Sequence, residues 1–169
     1  MNDTTLNKAR LARLLQLKDV KRAGWVHVSI ESPESVAAHS WGVATLVMAL
    51  CPDDLDRARA IEIALAHDLP EIITGDITPN DDISKSAKQA LEQSAASELF
   101  EGLPAHMIDR WREYNEALTP ESIFVHAVDK LDMALQAEHY SQTQGVDTSS
   151  FIESALAKLP EGVLRSLLG

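Results

Sequence analysis

Cysteine, long apolar runs and clustered positive charge are all scarce in this chain of 169 residues. The single Cys51 cannot form an intrachain disulfide, which fits a reducing compartment. The longest nearly apolar stretch, residues 43–51, is far shorter than the roughly 20 residues that cross a bilayer. The first 20 residues are studded with Lys and Arg and lack the apolar centre of a secretion signal. We therefore expect a cytoplasmic protein with no membrane partner.

Acidic residues outnumber basic ones by 26 to 15, which gives a formal net charge of −11. No block of Lys or Arg offers the electrostatic footprint that grips a phosphate backbone. We therefore expect no nucleic-acid polymer as a partner. The same negative charge repels any anionic substrate unless a local group reverses its sign.

Aromatic residues make up only 5% of the chain, and the alternating pattern of strands is rare. Ala, Leu, Glu, Lys and Gln dominate, and they favour helices. We predict an all-α fold in which residues 1–169 form a single domain of six or seven helices. The expected helices are 4–18, 35–50, 55–69, 84–100, 104–117, 120–140 and 150–159, with loops at 75–82 and 141–150. In the helix at 120–140, the expected core stripe is Phe124, Val128, Leu131 and Leu135.

Four ionisable residues fall at positions that the helical pattern assigns to the interior: His39, His67, Asp68 and Asp129. Buried charges are costly unless they are paired, and one bound cation can satisfy several of them together. His67 and Asp68 lie at the end of a helix, where the dipole favours a cation. Each residue alone is ordinarily a satisfied core histidine or a paired aspartate. Together, two imidazoles and two carboxylates would suit Mn, Co, Fe, Zn or Mg.

Four segments, in this order along the chain, carry a resemblance to a known family: PESVAAHS at 33–40, AHDLPEI at 66–72, TGDITP at 74–79 and VDKLD at 128–132. They resemble the H…HD…D pattern of HD-domain metal-dependent phosphohydrolases over residues 11–140. The similarity is greatest to the 5′-deoxynucleotidase branch, which includes the bacterial deoxynucleoside monophosphatase and the eukaryotic HD-domain-containing 2 proteins. The resemblance implies an all-α HD domain, a homodimer, and one divalent metal ion held by His39, His67, Asp68 and Asp129.

Relatives with two metals have extra histidines between the central His-Asp pair and the final Asp. Only His106 and His126 lie there, outside any recognisable pairing, so we predict a mononuclear site. His126 precedes Asp129 by three residues on one helix face. It is either a neighbour of the site or an ordinary packed residue.

The resemblance also assigns residues to the reaction. Glu71 matches a catalytic glutamate, since a carboxylate beside the metal can exchange protons with water and the leaving group. Asp76 matches a position that contacts the sugar or assists proton transfer, and Arg22 matches a phosphate-binding arginine with a fork that suits phosphate oxygens. Trp25 is either a platform for the base or a core residue. The remaining predicted substrate contacts are Thr78 and Pro79.

The favoured function is hydrolysis of (deoxy)nucleoside 5′-monophosphates to nucleoside and phosphate. Two alternatives stay open: a phosphodiesterase or (p)ppGpp-type hydrolase on the same scaffold, and a helical interaction module with a structural metal. Trp111 and Tyr114 share a helix face, where they either pack in the core or anchor a dimer interface.

Overall fold

The computed structural model of the protein describes residues 6–169, and its regular elements are helices, as the composition predicts. The helices are α1 (Lys8–Leu14), α2 (Ala23–His27), α3 (Val36–Leu50), α4 (Arg57–Ala66), α5 (Glu71–Thr74), α6 (Lys85–Leu99), α7 (Ala105–Glu116), α8 (Pro120–Gln144), α9 (Ser149–Lys158) and α10 (Val163–Ser166). A 3₁₀ turn, Leu15–Lys18, follows α1. Within residues 6–169, no helix is both long and apolar enough to cross a membrane.

Capping side chains explain where the main helices begin. Ser35 accepts a hydrogen bond from the Ala38 N–H at the start of α3, and Ser84 accepts one from Ala87 at the start of α6. Such side chains satisfy backbone N–H groups that have no partner within the helix. The predicted starts of these helices are therefore correct to within a residue. The predicted start of the first helix, residue 4, lies outside the described residues.

The structure corrects two expectations about α8. The helix continues to Gln144 and ends at Gly145, which has a φ of 68°. The polar residues 141–144 were predicted as a loop, but nothing in them stops a helix before the glycine, which adopts the left-handed conformation readily. Leu135 was predicted to lie in the core and is instead 36% exposed. The short helices α2, α5 and α10 were not predicted, because one turn is too short to show a periodic pattern.

The main core lies where α3, α4 and α8 pack against one another, and α7 packs against α4 and α8. Val43 and Val47 of α3, Ile63 of α4, and Val125 and Val128 of α8 are completely buried there. This packing brings the first turn of α3, the end of α4 and the middle of α8 to one region. The predicted ligand residues lie on these three segments.

Candidate active site

The structure brings the four predicted metal ligands together. His39 comes from α3, His67 and Asp68 follow α4 directly, and Asp129 comes from α8. His39, His67 and Asp129 each offer a ligand atom within 4.8 Å of the other two. Asp68 Oδ2 lies 3.1 Å from His67 Nε2 and 3.7 Å from His39 Nε2. Residues distant in the sequence thus form one cluster of nitrogen and oxygen donors.

Both histidine rings are held with the same nitrogen facing the cluster. His67 Nδ1–H donates to the Ala64 carbonyl oxygen at 2.7 Å, and His39 Nδ1–H donates to Asp132 Oδ2 at 2.7 Å. The two Nε2 atoms are buried and make no well-aligned hydrogen bond among the described residues; each instead faces a carboxylate oxygen, Asp129 Oδ1 at 3.2 Å from His39 and Asp68 Oδ2 at 3.1 Å from His67. Buried polar atoms almost always have partners. Two orphaned nitrogens beside two carboxylates therefore fit a divalent cation, and His39, His67, Asp68 and Asp129 would hold it.

Asp129 is fixed by contacts to one of its two carboxylate oxygens. Its Oδ2 accepts hydrogen bonds from Tyr114 Oη at 3.0 Å and from Lys130 Nζ at 2.8 Å. Its Oδ1 lies 3.2 Å from His39 Nε2. One oxygen therefore anchors the side chain, while the other faces the cluster.

The pKa values in the cluster reflect strong mutual attraction. Burial opposes ionisation of Asp68 and Asp129, but the nearby histidines outweigh it and lower the pKa of both carboxyl groups. Burial also disfavours a charged His39, but the carboxylates of Asp129 and Asp132 raise its pKa to about 9. In the absence of a metal ion, a proton on His39 offsets part of the carboxylate charge. A divalent cation would replace that proton.

A cavity of about 280 Å³ opens beside the cluster, and Arg22 lines it. Burial opposes the charge on Arg22, but Asp68, Asp76 and Asp129 outweigh burial and raise its pKa. These attractions act through space, since the guanidinium forms no hydrogen bond or ion pair with the described residues. A cationic fork in a polar cavity is thus free to bind an anion.

Glu71 is the first residue of α5 and lines the same cavity. Its Oε2 is buried and has no hydrogen-bond partner in the described part of the chain. Burial, with the nearby charges of Asp68 and Asp76, raises the pKa of Glu71 to about 10. An unpaired carboxyl group at the edge of the ligand cluster is well placed to exchange a proton.

Asp76 joins the loop after α5 to the segment that carries Arg22. Its Oδ2 accepts a hydrogen bond of 2.8 Å from the Ala23 N–H, at the first residue of α2. Gly75 precedes it with a φ of 72°, a conformation that glycine adopts without strain. Asp76 also lines the cavity beside the ligand cluster. Its position therefore combines a structural tie with access to a bound molecule.

Trp25, Thr78 and Pro79 line a second cavity of about 180 Å³, which shares Arg22 and Asp76 with the first. The indole of Trp25 is 1% exposed, packs on Phe151 with a centroid separation of 4.4 Å, and donates to Glu34 at 2.9 Å. This burial favours the core alternative for Trp25, with one part reaching the cavity wall. The Thr78 hydroxyl donates a hydrogen bond of 2.9 Å to Asp81 Oδ2.

Several residues near the site were not singled out by the sequence analysis. Asp132 lies one turn beyond Asp129 on α8, so its spacing was the available signal. Tyr114 was considered only as a core or interface residue, because its contact with Asp129 depends on how α7 packs. Lys88 lines the cavity and donates to the Ile77 carbonyl oxygen at 2.6 Å.

His126 and His106, the two histidines that lie between the central His-Asp pair and Asp129, do not join the donor cluster. The ring of His126 stacks on Tyr114 at 3.8 Å, and its Nε2 lies 2.8 Å from the Tyr114 carbonyl oxygen. His126 therefore contacts Tyr114, and Tyr114 in turn contacts Asp129. His106 is exposed on α7. Trp111 is buried, as expected for the core alternative.

Residues 14–165 match the HD domain family, and the chain belongs to it. It is 38% identical to the mouse protein 5′-deoxynucleotidase HDDC2 over 140 residues, which cover 80% of this chain and 70% of that protein. Its similarity to the Dictyostelium discoideum protein of the same name is 34% identity over 171 residues, covering 90% and 89% of the two chains.

Solved structures show the same fold. A conserved hypothetical protein from Pyrococcus furiosus superimposes with a TM-score of 0.77 and 30% identity, covering 96% of each chain. A predicted metal-dependent phosphohydrolase from Magnetospirillum magnetotacticum gives a TM-score of 0.74 and 25% identity, with 95% and 86% of the two chains covered.

Proposed function

We propose that the protein is a metal-dependent phosphomonoesterase that hydrolyses (deoxy)nucleoside 5′-monophosphates to nucleoside and phosphate. The observation that carries the proposal is the pair of buried, unpartnered Nε2 atoms of His39 and His67, beside two carboxylates and an unpaired arginine. A cation site next to a free guanidinium suits an anionic ester. The relatives named as 5′-deoxynucleotidases support this substrate class.

A single divalent ion is proposed at the cluster, where it would polarise a phosphoryl oxygen of the substrate. The ligands are His39, His67, Asp68 and Asp129. The donor set suits Mn, Co, Fe, Zn or Mg. Hydrogen bonds to the Ala64 carbonyl oxygen and to Asp132 already orient the rings of His67 and His39, respectively. The protein therefore contributes a preorganised donor set.

Arg22 binds the phosphate group in this proposal. Its planar guanidinium can donate two parallel hydrogen bonds to phosphate oxygens and oppose the charge that spreads over them during the reaction. The absence of an ion-pair partner in the described residues leaves those donors available. Arg22 therefore acts both in binding and in stabilising the transition state.

Glu71 acts as general base and then as general acid in this proposal. Glu71 would be ionised beside a bound cation, whose charge opposes the raised pKa that the carboxyl group has without one. The carboxylate then takes a proton from the water whose oxygen attacks phosphorus, and it returns a proton to the 5′-oxygen as the P–O bond breaks. This assignment agrees with the unpartnered Oε2 that lines the cavity. The proton balance closes, because one water supplies the new P–O bond and the hydrogen of the released hydroxyl.

The sugar and base extend toward the second cavity in our proposal. Asp76 lies between the two cavities and would contact the sugar, while Thr78 and Pro79 form the loop side. Trp25 contributes the part of its ring that reaches the wall. Discrimination between ribose and deoxyribose would follow from the space beside the 2′-carbon here.

We further propose that residues 1–169 fold as one HD domain and that the protein is a cytoplasmic homodimer. Two apolar side chains on the outer face of α3, Trp41 and Met48, are 68% and 63% exposed and could contribute to the dimer contact. Size-exclusion chromatography with light scattering tests the dimer, and a mass of one chain would contradict it.

The function is tested on protein stripped of metal with a chelator and reloaded with each candidate cation. Phosphate release is then measured with a panel of ribo- and deoxyribonucleoside monophosphates and unrelated phosphate esters. Glu71→Ala should abolish release while retaining metal, and Asp68→Ala should lose both. The exposed Asp54→Asn is the matched control and should match the wild type. Full activity of Asp68→Ala would contradict the metal site.

A further inference from the structure

Asp132 contacts neither substrate nor a transferred proton in the reaction proposed above, yet its carboxylate is 13% exposed and touches the ligand cluster. Its Oδ2 accepts the Nδ1–H of His39 at 2.7 Å. Because an ionised carboxylate can only accept, this contact places a hydrogen on Nδ1 and directs Nε2 toward the other donors. The contact therefore determines which nitrogen of His39 can bind a cation.

Gly42 gives Asp132 the space for this contact. It lies three residues after His39 on α3, and a Cβ at this position would stand 2.2 Å from Asp132 Oδ1. Glycine within a helix costs about 1 kcal/mol relative to alanine, so helix stability does not favour it here. Helix α3 thus supplies both the histidine and the gap that its carboxylate partner occupies.

Another interpretation of these residues is a separate cation site, since Glu34, His39 and Asp132 offer donor atoms within 4.8 Å of one another. In that case, His39 would have to give up the Nδ1 hydrogen that Asp132 accepts. Glu34 Oε1 is already engaged by the Trp25 Nε1–H at 2.9 Å. The geometry therefore favours a hydrogen-bonded support for one site over a second site.

We propose that Asp132 is a positioning residue, which orients the His39 ring and strengthens Nε2 as a metal ligand. The inference rests on the proposed metal centre. His67 is oriented by a neutral carbonyl, whereas His39 is oriented by a charged acceptor, which raises ligand basicity more strongly. His39 should accordingly depend more on its partner than His67 does.

Metal binding to the stripped protein tests this proposal independently of the reaction. Isothermal titration with Mn²⁺ is compared among the wild type, Asp132→Asn, Asp132→Ala and Gly42→Ala. Loss of a supporting group of this kind typically weakens metal binding by about 10- to 100-fold. We expect that loss for Asp132→Ala and Gly42→Ala, and a smaller loss for Asp132→Asn, whose amide oxygen still accepts the Nδ1–H. Glu138→Gln, on the same helix, is the control.

The visible absorption spectrum of bound Co²⁺ gives a second readout, because it reports ligand geometry. It should change in Asp132→Ala and remain unchanged in Glu138→Gln. If every variant binds Mn²⁺ as tightly as the wild type and the Co²⁺ spectrum is constant, the positioning role is wrong. A lowered unfolding temperature with an unchanged dissociation constant, in Asp132→Ala or the nearly isosteric Asp132→Asn, would also overturn it. If the wild type itself binds neither ion, the metal centre of the proposed function fails instead.

Discussion

Adding a divalent cation to metal-free protein should raise its unfolding temperature substantially. The cluster presents two carboxylates and two unpartnered imidazole nitrogens only in the folded chain, so a cation binds that state preferentially. At a free concentration 100 times the dissociation constant, this preference contributes about 2.7 kcal/mol. For a chain of this size, 1 kcal/mol corresponds to roughly 2–4 °C, so the expected rise is about 5–11 °C.

Differential scanning fluorimetry over a series of Mn²⁺ concentrations measures the effect. The wild type should show a rise that grows with the logarithm of metal concentration. Asp129→Asn should lose most of the rise, because the variant removes a charged ligand while its amide oxygen can still accept from Tyr114 and Lys130. The exposed Asp54→Asn controls for general electrostatic binding. An equal rise in wild type and Asp129→Asn would refute the assignment of the ligand set.

Three further changes test separate contacts. Arg22→Lys keeps the charge but loses the fork, so kcat/KM should fall about 100-fold in the phosphate-release assay; an unchanged value would contradict phosphate binding by Arg22. Tyr114→Phe removes the hydrogen bond to Asp129 and should weaken Mn²⁺ binding about 10-fold by titration, whereas equal affinity would count against this anchoring. Burial opposes ionisation of Glu113, but Thr119 and Arg59 outweigh it and lower its pKa, so its stabilising contribution is present above the unfolded pKa and lost as pH falls through the folded value. In urea unfolding, the free energy of unfolding of Glu113→Gln should be about 1–3 kcal/mol below that of the wild type at pH 7. This difference should become smaller at acidic pH, and a difference that does not change with pH would refute this account.

The sequence predicts the helical fold because helix formation depends on patterns within segments. Capping residues such as Ser35 define helix starts, and apolar spacing directs His39 inward. The resemblance to the HD-domain pattern then implies that His39, His67, Asp68 and Asp129 belong to one site. Their proximity in the structure follows from the packing of α3, α4 and α8.

The supporting contacts could not be read from the sequence in the same way. Asp132 and Asp129 are separated by one turn, but only packing decides that both reach His39. Tyr114 reaches Asp129 from α7, an element with no motif residue. Trp25 illustrates the opposite difficulty, since an aromatic residue near Arg22 suggests base stacking, whereas the structure shows its ring largely packed on Phe151.

The net charge of −11 and an anionic substrate can be reconciled at the cavity. Five carboxyl groups and three cationic side chains line it, so the excess of negative charge there is small. The raised pKa of Glu71 reduces that excess by one charge in the metal-free protein. A divalent ion would cancel or reverse the remainder, while the rest of the surface stays acidic. Phosphate esters should therefore bind well only with the metal, and long polyanions should still be repelled by the surrounding surface.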